Sequence, residues 1–396
     1  MQATATGPQV DDAREARDTE PPGSRLPERY QALDLLRGVA LLLVMGRHMQ
    51  VTPVWYRLGW LGVQLFFVLS GFLVAGLLYR EYRQTGRLDL RRFLLRRAFK
   101  IYPGFYLFLA VTLPLGLFSP QPPRGPEVLS ELFFLQSYLP GYWEHTWSLA
   151  VEEHFYLLLA AGFLLLTRRG SGSDPFASVP AITAGVALAA LTARCAVTAW
   201  LPFNHLTHVF ATHARLDALA FGVCLAYWFH YRGPELREWV IRRRALVVGA
   251  SAACLLPFAF LEITSSRFVT SVGMTLGYLG LGGLLLVLLV SLSDRKQEKQ
   301  PWSERVLAWL GRNSYGIYLW HMAVALWGVG KLQTLLNVNF PYAVEVVIYF
   351  AASILLGAAA TWWVEQPLLR LRDRYFPSRS GRLAGPGPVP IRGELV

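Results

Sequence analysis

The chain has 396 residues, 54% of them hydrophobic and only 16% charged, with 13 Trp and 23 Phe; a water-soluble domain carries about 25% charged residues. That composition excludes an ordinary soluble domain and specifies an integral membrane protein. The net charge of +12 points to anionic lipid headgroups rather than to nucleic acid, because the basic residues cluster between apolar runs.

Residues 1–29 are polar, Pro-containing and of mixed charge, with no apolar core or cleavage site of the signal-peptide kind; they read as a disordered cytosolic tail. Ten apolar runs follow, at 32–50, 58–79, 100–118, 145–166, 178–201, 214–230, 245–261, 269–293, 313–330 and 342–364. Runs of this length specify helices rather than barrel strands. The expected fold is therefore all-α, a polytopic membrane bundle of about ten transmembrane helices filling residues 30–370. The remainder, 371–396, is Pro- and Gly-rich and reads as a second disordered cytosolic tail.

Charge sets the orientation. With the N-terminus in the cytosol, the inner segments carry 29 Lys and Arg, whereas the outer loops carry four: Arg57, Arg124, Arg267 and Lys331. That asymmetry places both termini inside. The most basic inner segment, YREYRQTGRLDLRRFLLRRAFK at 79–100, reads as an interfacial helix or, more specifically, as a surface for an anionic donor.

Five basic residues fall within or at the edge of the runs: Arg37, Arg47, Arg194, Arg215 and Arg312. Snorkelling is the simpler reading for Arg194 and Arg312. Arg37 and Arg215 have aspartates at helical spacing, Asp34 and Asp217, which suggests pairing or a wet cavity. Cys195, Cys224 and Cys254 lack paired spacing and read as small buried residues, neither disulfides nor metal ligands.

Within RGVALLLVMGRH, Arg37 and His48 are eleven residues apart. Eleven residues turn a helix about 20° beyond three full turns, so the two share one face, separated by about 16 Å. A lone histidine on an apolar helix is more often structural than catalytic, but other polar positions accompany this one. Ser70 and Gly71 lie in the second run, Glu152, Glu153 and His154 in the fourth, Arg215 and Asp217 in the sixth, and Ser314, Tyr315 and His321 in the ninth. Glu365 and Pro367 end the tenth, where a helix terminus at the interface accounts for them.

Five segments carry a resemblance. LDLLRGVALLLVMGRH, GVQLFFVLSGFLVAGLL, FLLRRAFKIYP, WSLAVEEHFYLL and SYGIYLWH occur in that order between Tyr30 and Leu369, and the ordered set resembles the acyltransferase 3 family of bacterial membrane O-acyltransferases. Ala150 stands where a serine is common and His154 where a glutamine is common. The resemblance implies a multi-pass enzyme of the bacterial cytoplasmic membrane with no bound cofactor. It would transfer an acyl group, acetyl by default, from acyl-CoA to a hydroxyl of a cell-envelope glycan or lipid-linked sugar.

Under that reading His48 is the general base, because imidazole titrates near neutral pH. Glu152 would orient His48 and stabilise its protonated form, or contact the acceptor. Arg37 suits the donor's phosphates, since guanidinium stays charged and donates in a fixed fork. Arg96, Arg97 and Lys100 would hold further donor charge, and Asp34, Ser70, Arg215, Asp217, Tyr315 and His321 complete the expected substrate-binding set. Some family members append a periplasmic hydrolase-like domain, whereas this chain stops shortly after its last run. Acceptor choice is thus expected in the membrane domain, its loops or a separate envelope partner, and a homo-oligomer stays open. Two alternatives remain: acylation of a secondary metabolite such as a macrolide, and a non-enzymatic glycan or drug transporter, which also needs wet, charged helix faces.

The charge count makes a testable statement. In a background with Cys195, Cys224 and Cys254 replaced, single cysteines within 118–144 and 203–213 should react with an impermeant thiol reagent from outside, and those within 80–99 and 231–244 should not. The reverse pattern would overturn the orientation.

Overall fold

The computed structural model describes residues 31–169, 174–293 and 301–378; the N-terminal tail and the chain beyond residue 378 lie outside them. Among the described residues the fold is all-helical, with no strand. In chain order the helices are α1 (Gln31–His48), α2 (Pro53–Thr85), α3 (Leu90–Gly116), α4 (Gly125–Leu132), α5 (Trp147–Arg169), α6 (Val179–Trp200), α7 (Leu216–Tyr231) and α8 (Gly233–Arg242). They continue with α9 (Arg244–Leu255), α10 (Pro257–Phe260), α11 (Met274–Ser293), α12 (Trp302–Arg312), α13 (Ser314–Ala323), α14 (Val329–Leu336), α15 (Tyr342–Ala360) and α16 (Gln366–Tyr375). The last of these runs past the expected domain end at 370.

Every one of the ten apolar runs folds as helix, but they do not all make a simple span. Six helical stretches are long and apolar enough to cross a membrane, or up to seven if Gly233–Arg242 and Arg244–Phe260, bent by 81°, count as one. The other three runs show why length and hydropathy thin out there. Helix α1 carries Asp34, Arg37 and Arg47 in 18 residues, α7 is only 16 residues long, and Ser314–Leu336 is interrupted by a π-helical turn at Val324–Gly328. The chain is a multi-pass membrane protein.

The basic segment after α2 is not a separate interfacial helix. Helix α2 continues to Thr85, where Gly86 takes a left-handed conformation at φ 67° and its N–H reaches the Tyr82 carbonyl; a glycine pays no Cβ penalty there. Asp89 then caps α3 by accepting the Arg92 N–H at 3.0 Å. The arginines therefore ride on the ends of two long helices.

Helix α2 is buried from Gly59 to Tyr79 and forms the centre of the bundle. Its neighbours come close because small residues leave room for backbone. A Cβ on Gly71 would come within 2.0 Å of the Leu219 carbonyl oxygen, and one on Gly222 within 2.2 Å of that of Val68. The same device joins α1 to α12, where a Cβ on Gly311 would lie 1.8 Å from the Asp34 oxygen, and α13 to α15 at Gly316 and Gly357.

Charge pairing differs from the local expectation. Asp217 pairs with Arg194 at 2.7 Å, both side chains almost wholly buried. Arg194 also donates to the Ala214 carbonyl at 2.6 Å, the Ser271 carbonyl at 3.1 Å and the Thr275 hydroxyl at 2.7 Å. It does not snorkel. Arg215, the non-helical residue just ahead of α7, lies instead by the rings of Phe67 and Trp147, at 5.6 and 5.5 Å. Arg312 does turn outward, yet its guanidinium stays 3.9 Å from Asp34. Cys195 is exposed rather than buried, and Cys224 and Cys254 are half-buried; all three are free thiols.

Removing one partner of a buried pair strands the other. Asp217→Asn should lower the unfolding free energy by about 3–5 kcal/mol, read as a lower thermal midpoint in detergent. The double variant Arg194→Met with Asp217→Leu should cost less than its two single changes added together.

Candidate functional site

The site grows from α1, whose two ends enter different polar neighbourhoods. Near Arg37, the α5 carboxylate Glu152 accepts a hydrogen bond from the Tyr156 hydroxyl at 2.7 Å, and Tyr156 in turn meets Ser70 of α2 at 2.8 Å. Glu153 accepts from Tyr102 at 3.0 Å. Arg37 itself is half-buried, and among the described residues its guanidinium makes no ion pair within 4.0 Å and no hydrogen bond.

A cleft of about 60 Å³ lies between Arg37 and Glu152, lined also by Phe66, Ser314, Tyr315 and Tyr318 among others. Tyr318 lies between the cleft and the other end of α1: its hydroxyl meets Ser148 at 2.7 Å and donates to the His145 carbonyl at 2.7 Å.

Three histidines gather there. The His321 ring centroid is 5.1 Å from that of His48 and 5.2 Å from that of His145. His48 is exposed, whereas His145 and His321 are buried. A carbonyl only accepts, so each buried ring must carry its proton on the nitrogen that faces one. His321 Nδ1 faces the Tyr318 carbonyl and His145 Nε2 the Leu319 carbonyl at 3.1 Å. His321 Nε2 and His145 Nδ1 are left as buried lone pairs with no partner. Among the described residues no group of three or more His, Cys, Asp or Glu side chains is placed to hold a metal ion.

The expected donor-binding arginines separate into two kinds. Arg96 is paired with Asp373 at 2.9 Å, and Lys100 with Glu365, beneath the Tyr315 ring. Glu365 is buried, so it is a charge partner rather than an interfacial helix end. Arg97 differs. It lines a second pocket with Glu81, Arg92, Phe93 and Arg96 itself, but has no carboxylate within ion-pair distance among the described residues, and the Nε atoms of both Arg92 and Arg97 are buried without a partner.

The structure thus brings Arg37, Glu152, Ser70, Tyr315, Ser314 and Arg97 to one end and His48 with His321 to the other. Glu152 bonds to Tyr156 and faces the Arg37 cleft; the ring packed against His48 is His321, not a carboxylate that orients it. Asp217 joins α7 to Arg194 of α6, and Arg215 packs against Phe67 of α2 and Trp147 of α5. Sequence reasoning missed His145, Tyr318, Ser148 and Tyr156. One signal was present: Ser314, Tyr318 and His321 recur at helical spacing on one face of α13.

Outside the spans, Glu131 of α4 holds the loop that carries His145. Its buried carboxylate accepts the Trp143 N–H at 2.8 Å and the Thr146 hydroxyl at 2.8 Å, two residues before and one residue after His145 in the Glu144–Thr146 turn. Burial pushes this carboxyl from the ordinary 4.5 up to about 7.

A family model described as an acyltransferase domain matches residues 30–362, and the chain belongs to that family, acyltransferase 3. It is 25% identical over 378 residues to the peptidoglycan O-acetyltransferase OatA of Listeria monocytogenes, covering 87% of this chain and 57% of that protein. It is 24% identical over 387 residues to the O-acetyltransferase OatA of Staphylococcus aureus, covering 90% and 60%. The chain spans little more than half the length of these relatives. No solved structure matches it.

The Glu131 carboxyl predicts a pH effect with a definite sign. Folding raises its pKa, so the folded state holds the proton more tightly than the unfolded one. Its contribution to stability is full below about 4.5 and is lost as the pH rises through about 7. Glu131→Gln should therefore flatten the fall in thermal midpoint between about pH 5 and pH 8; an unchanged profile would assign that fall to other groups.

Proposed function

We propose that this chain is a membrane O-acyltransferase that moves an acyl group, acetyl by default, from acyl-CoA to a hydroxyl of a cell-envelope glycan or lipid-linked sugar. The observation that carries this reading is a cleft between Arg37, which has no ion pair or hydrogen bond among the described residues, and Glu152, with Tyr318 on its wall bonded to the carbonyl of His145 in the histidine cluster. The acetyltransferase names of the relatives support the acyl group, and peptidoglycan, named for one of them, supports a sugar hydroxyl of the envelope as acceptor.

The chemistry asks for a base and a donor anchor. As the acceptor oxygen attacks the thioester carbonyl, its proton passes to an imidazole nitrogen; the new C–O bond forms, the C–S bond breaks, and the thiolate takes the proton back from the imidazolium. His48 is the exposed ring of the three and the candidate base. The bare Nε2 of His321 can accept an N–H from His48, which would leave the other His48 nitrogen as the lone pair that meets the acceptor. His321 is then a positioning residue, the part first expected of Glu152.

Arg37, with no countercharge in contact, suits the donor's phosphates or thioester oxygen. Arg97, beside Arg92 in the second pocket, suits a phosphate better than Arg96 or Lys100, which Asp373 and Glu365 already neutralise. Ten crossings with both termini in the cytosol are the arrangement that the basic-residue count supports. They put the Arg37 end on the donor side of the bacterial cytoplasmic membrane and the His48 end outside.

Purified protein and labelled acetyl-CoA test the class: thioester turnover supports the enzyme, whereas acceptor uptake into vesicles without thioester loss supports a transporter. Within the enzyme reading, His48→Ala and His48→Gln should both fold and lose about 100-fold or more in turnover, since an amide cannot take the proton. Arg37→Lys should be nearly as damaging as Arg37→Ala to donor saturation if the fork-shaped contact matters, and Arg97→Gln should raise the apparent KM for acyl-CoA more than Arg96→Gln. Near-normal transfer by folded His48→Gln would remove His48 as the base.

A further inference from the structure

A separate, wider cavity lies away from the cleft, on the outer side of α5, α6 and α7. It encloses about 420 Å³, within the roughly 300–1,000 Å³ of sites that take small ligands, and its walls are almost wholly apolar. Leu158, Leu165 and Ile182 line it and are themselves 55%, 51% and 49% exposed, so the cavity is a groove open to the surroundings of the bundle. A Cβ on Gly162 would meet nothing within 4 Å; no neighbouring side chain fills the floor.

Two further features limit what can lie there. Along α5 the groove extends from Phe155 to Arg169, which at the helical rise is about 21 Å; half of a bilayer's hydrocarbon core is about 15 Å. Its one charged lining residue is Arg169, at the end of α5 and next to Arg168. Among the described residues Arg169 forms no ion pair or hydrogen bond. The next acidic residue along the chain, Asp174, is engaged by the Tyr227 hydroxyl and the Phe176 N–H, at 2.7 and 2.9 Å.

We propose that this groove is a binding site for one anionic phospholipid, an acyl chain lying along Gly162 and Leu158 and the phosphate seated on Arg169. The length matches a chain that traverses a single leaflet, and the lone cationic end selects a headgroup with net negative charge over a zwitterionic one, whose own ammonium would face the two arginines. Both α5 and α6 are long and apolar enough to cross the membrane, so the groove faces lipid. The same helix α5 presents Glu152 and Tyr156 to the cleft, so a bound lipid braces the helix that carries them.

The test does not depend on any transfer activity. The full chain is reconstituted into vesicles of equal parts phosphatidylglycerol and phosphatidylcholine, released in mild detergent, and its retained lipid counted by native mass spectrometry. The wild-type chain should keep one phosphatidylglycerol in preference to phosphatidylcholine. Gly162→Trp, whose side chain enters the open groove, should lower that retention about tenfold, and Arg169→Gln should erase the preference between the two lipids. Wild-type protein with no preference, or folded Gly162→Trp with wild-type retention, overturns the site. Should Gly162→Trp not fold, Arg169→Gln decides alone: an unchanged preference refutes the proposal.

Discussion

A guanidinium or carboxylate moved from water into a helical bundle loses several kcal/mol of solvation, and only a close opposite charge with further hydrogen bonds offsets that loss. This constraint arranges the whole chain. Arg194 and Asp217 tie α6 to α7, Lys100 and Glu365 tie α3 to the turn before α16, and Arg47 reaches Glu262 at 3.5 Å from the end of α1. The first joins consecutive helices and the other two join segments more than two hundred residues apart, so each also specifies which helices are neighbours. Arg215 is held by aromatic rings instead, whereas Arg37 has, among the described residues, no opposite charge in contact and a cleft beside it. A charge left open in that way marks where an anionic ligand can complete the pairing.

Hydroxyls and glycines do the complementary work. Where backbones must nearly touch, as at Gly71 with Gly222, the side chain is absent. Where polar atoms must cross between helices, tyrosines span the gap: Tyr156 joins Ser70 to Glu152, and Tyr318 joins Ser148 to the His145 carbonyl. A tyrosine places an apolar ring in the core and a donor at its rim, which satisfies a carboxylate without adding charge. The cleft is therefore polar at defined points, Arg37, Ser148, Glu152 and Ser314, and apolar between them.

The histidine cluster follows a related logic. Two consecutive carbonyls of α13, Tyr318 and Leu319, each take one imidazole N–H, and this fixes both buried rings in single tautomers whose free nitrogens are acceptors. The ring beside His48 is thus another imidazole rather than a carboxylate. Under the proposed role of His48 as base, no negative charge among the described residues lies against it, and the α13 backbone is as much a part of the candidate chemistry as any side chain.

Sequence alone determined the solvent, the secondary-structure class and the family, because apolar run length, basic-residue placement and ordered motifs are local properties. Arg37, His48, Glu152 and His321 were legible for the same reason: each is a polar residue in a segment that should have none. Only the tertiary structure decided the partners. Asp217 found Arg194 instead of Arg215 two positions away, Glu152 found Tyr156 instead of His48, and Glu365 left the interface for Lys100. His145 and Tyr318 emerged as parts of the site only when α13 packed beside the turn ahead of α5. Pairing in a membrane bundle is set by which helix faces meet, and that depends on close backbone approaches between different helices, such as Gly71 with Leu219 and Gly311 with Asp34, which no local pattern records.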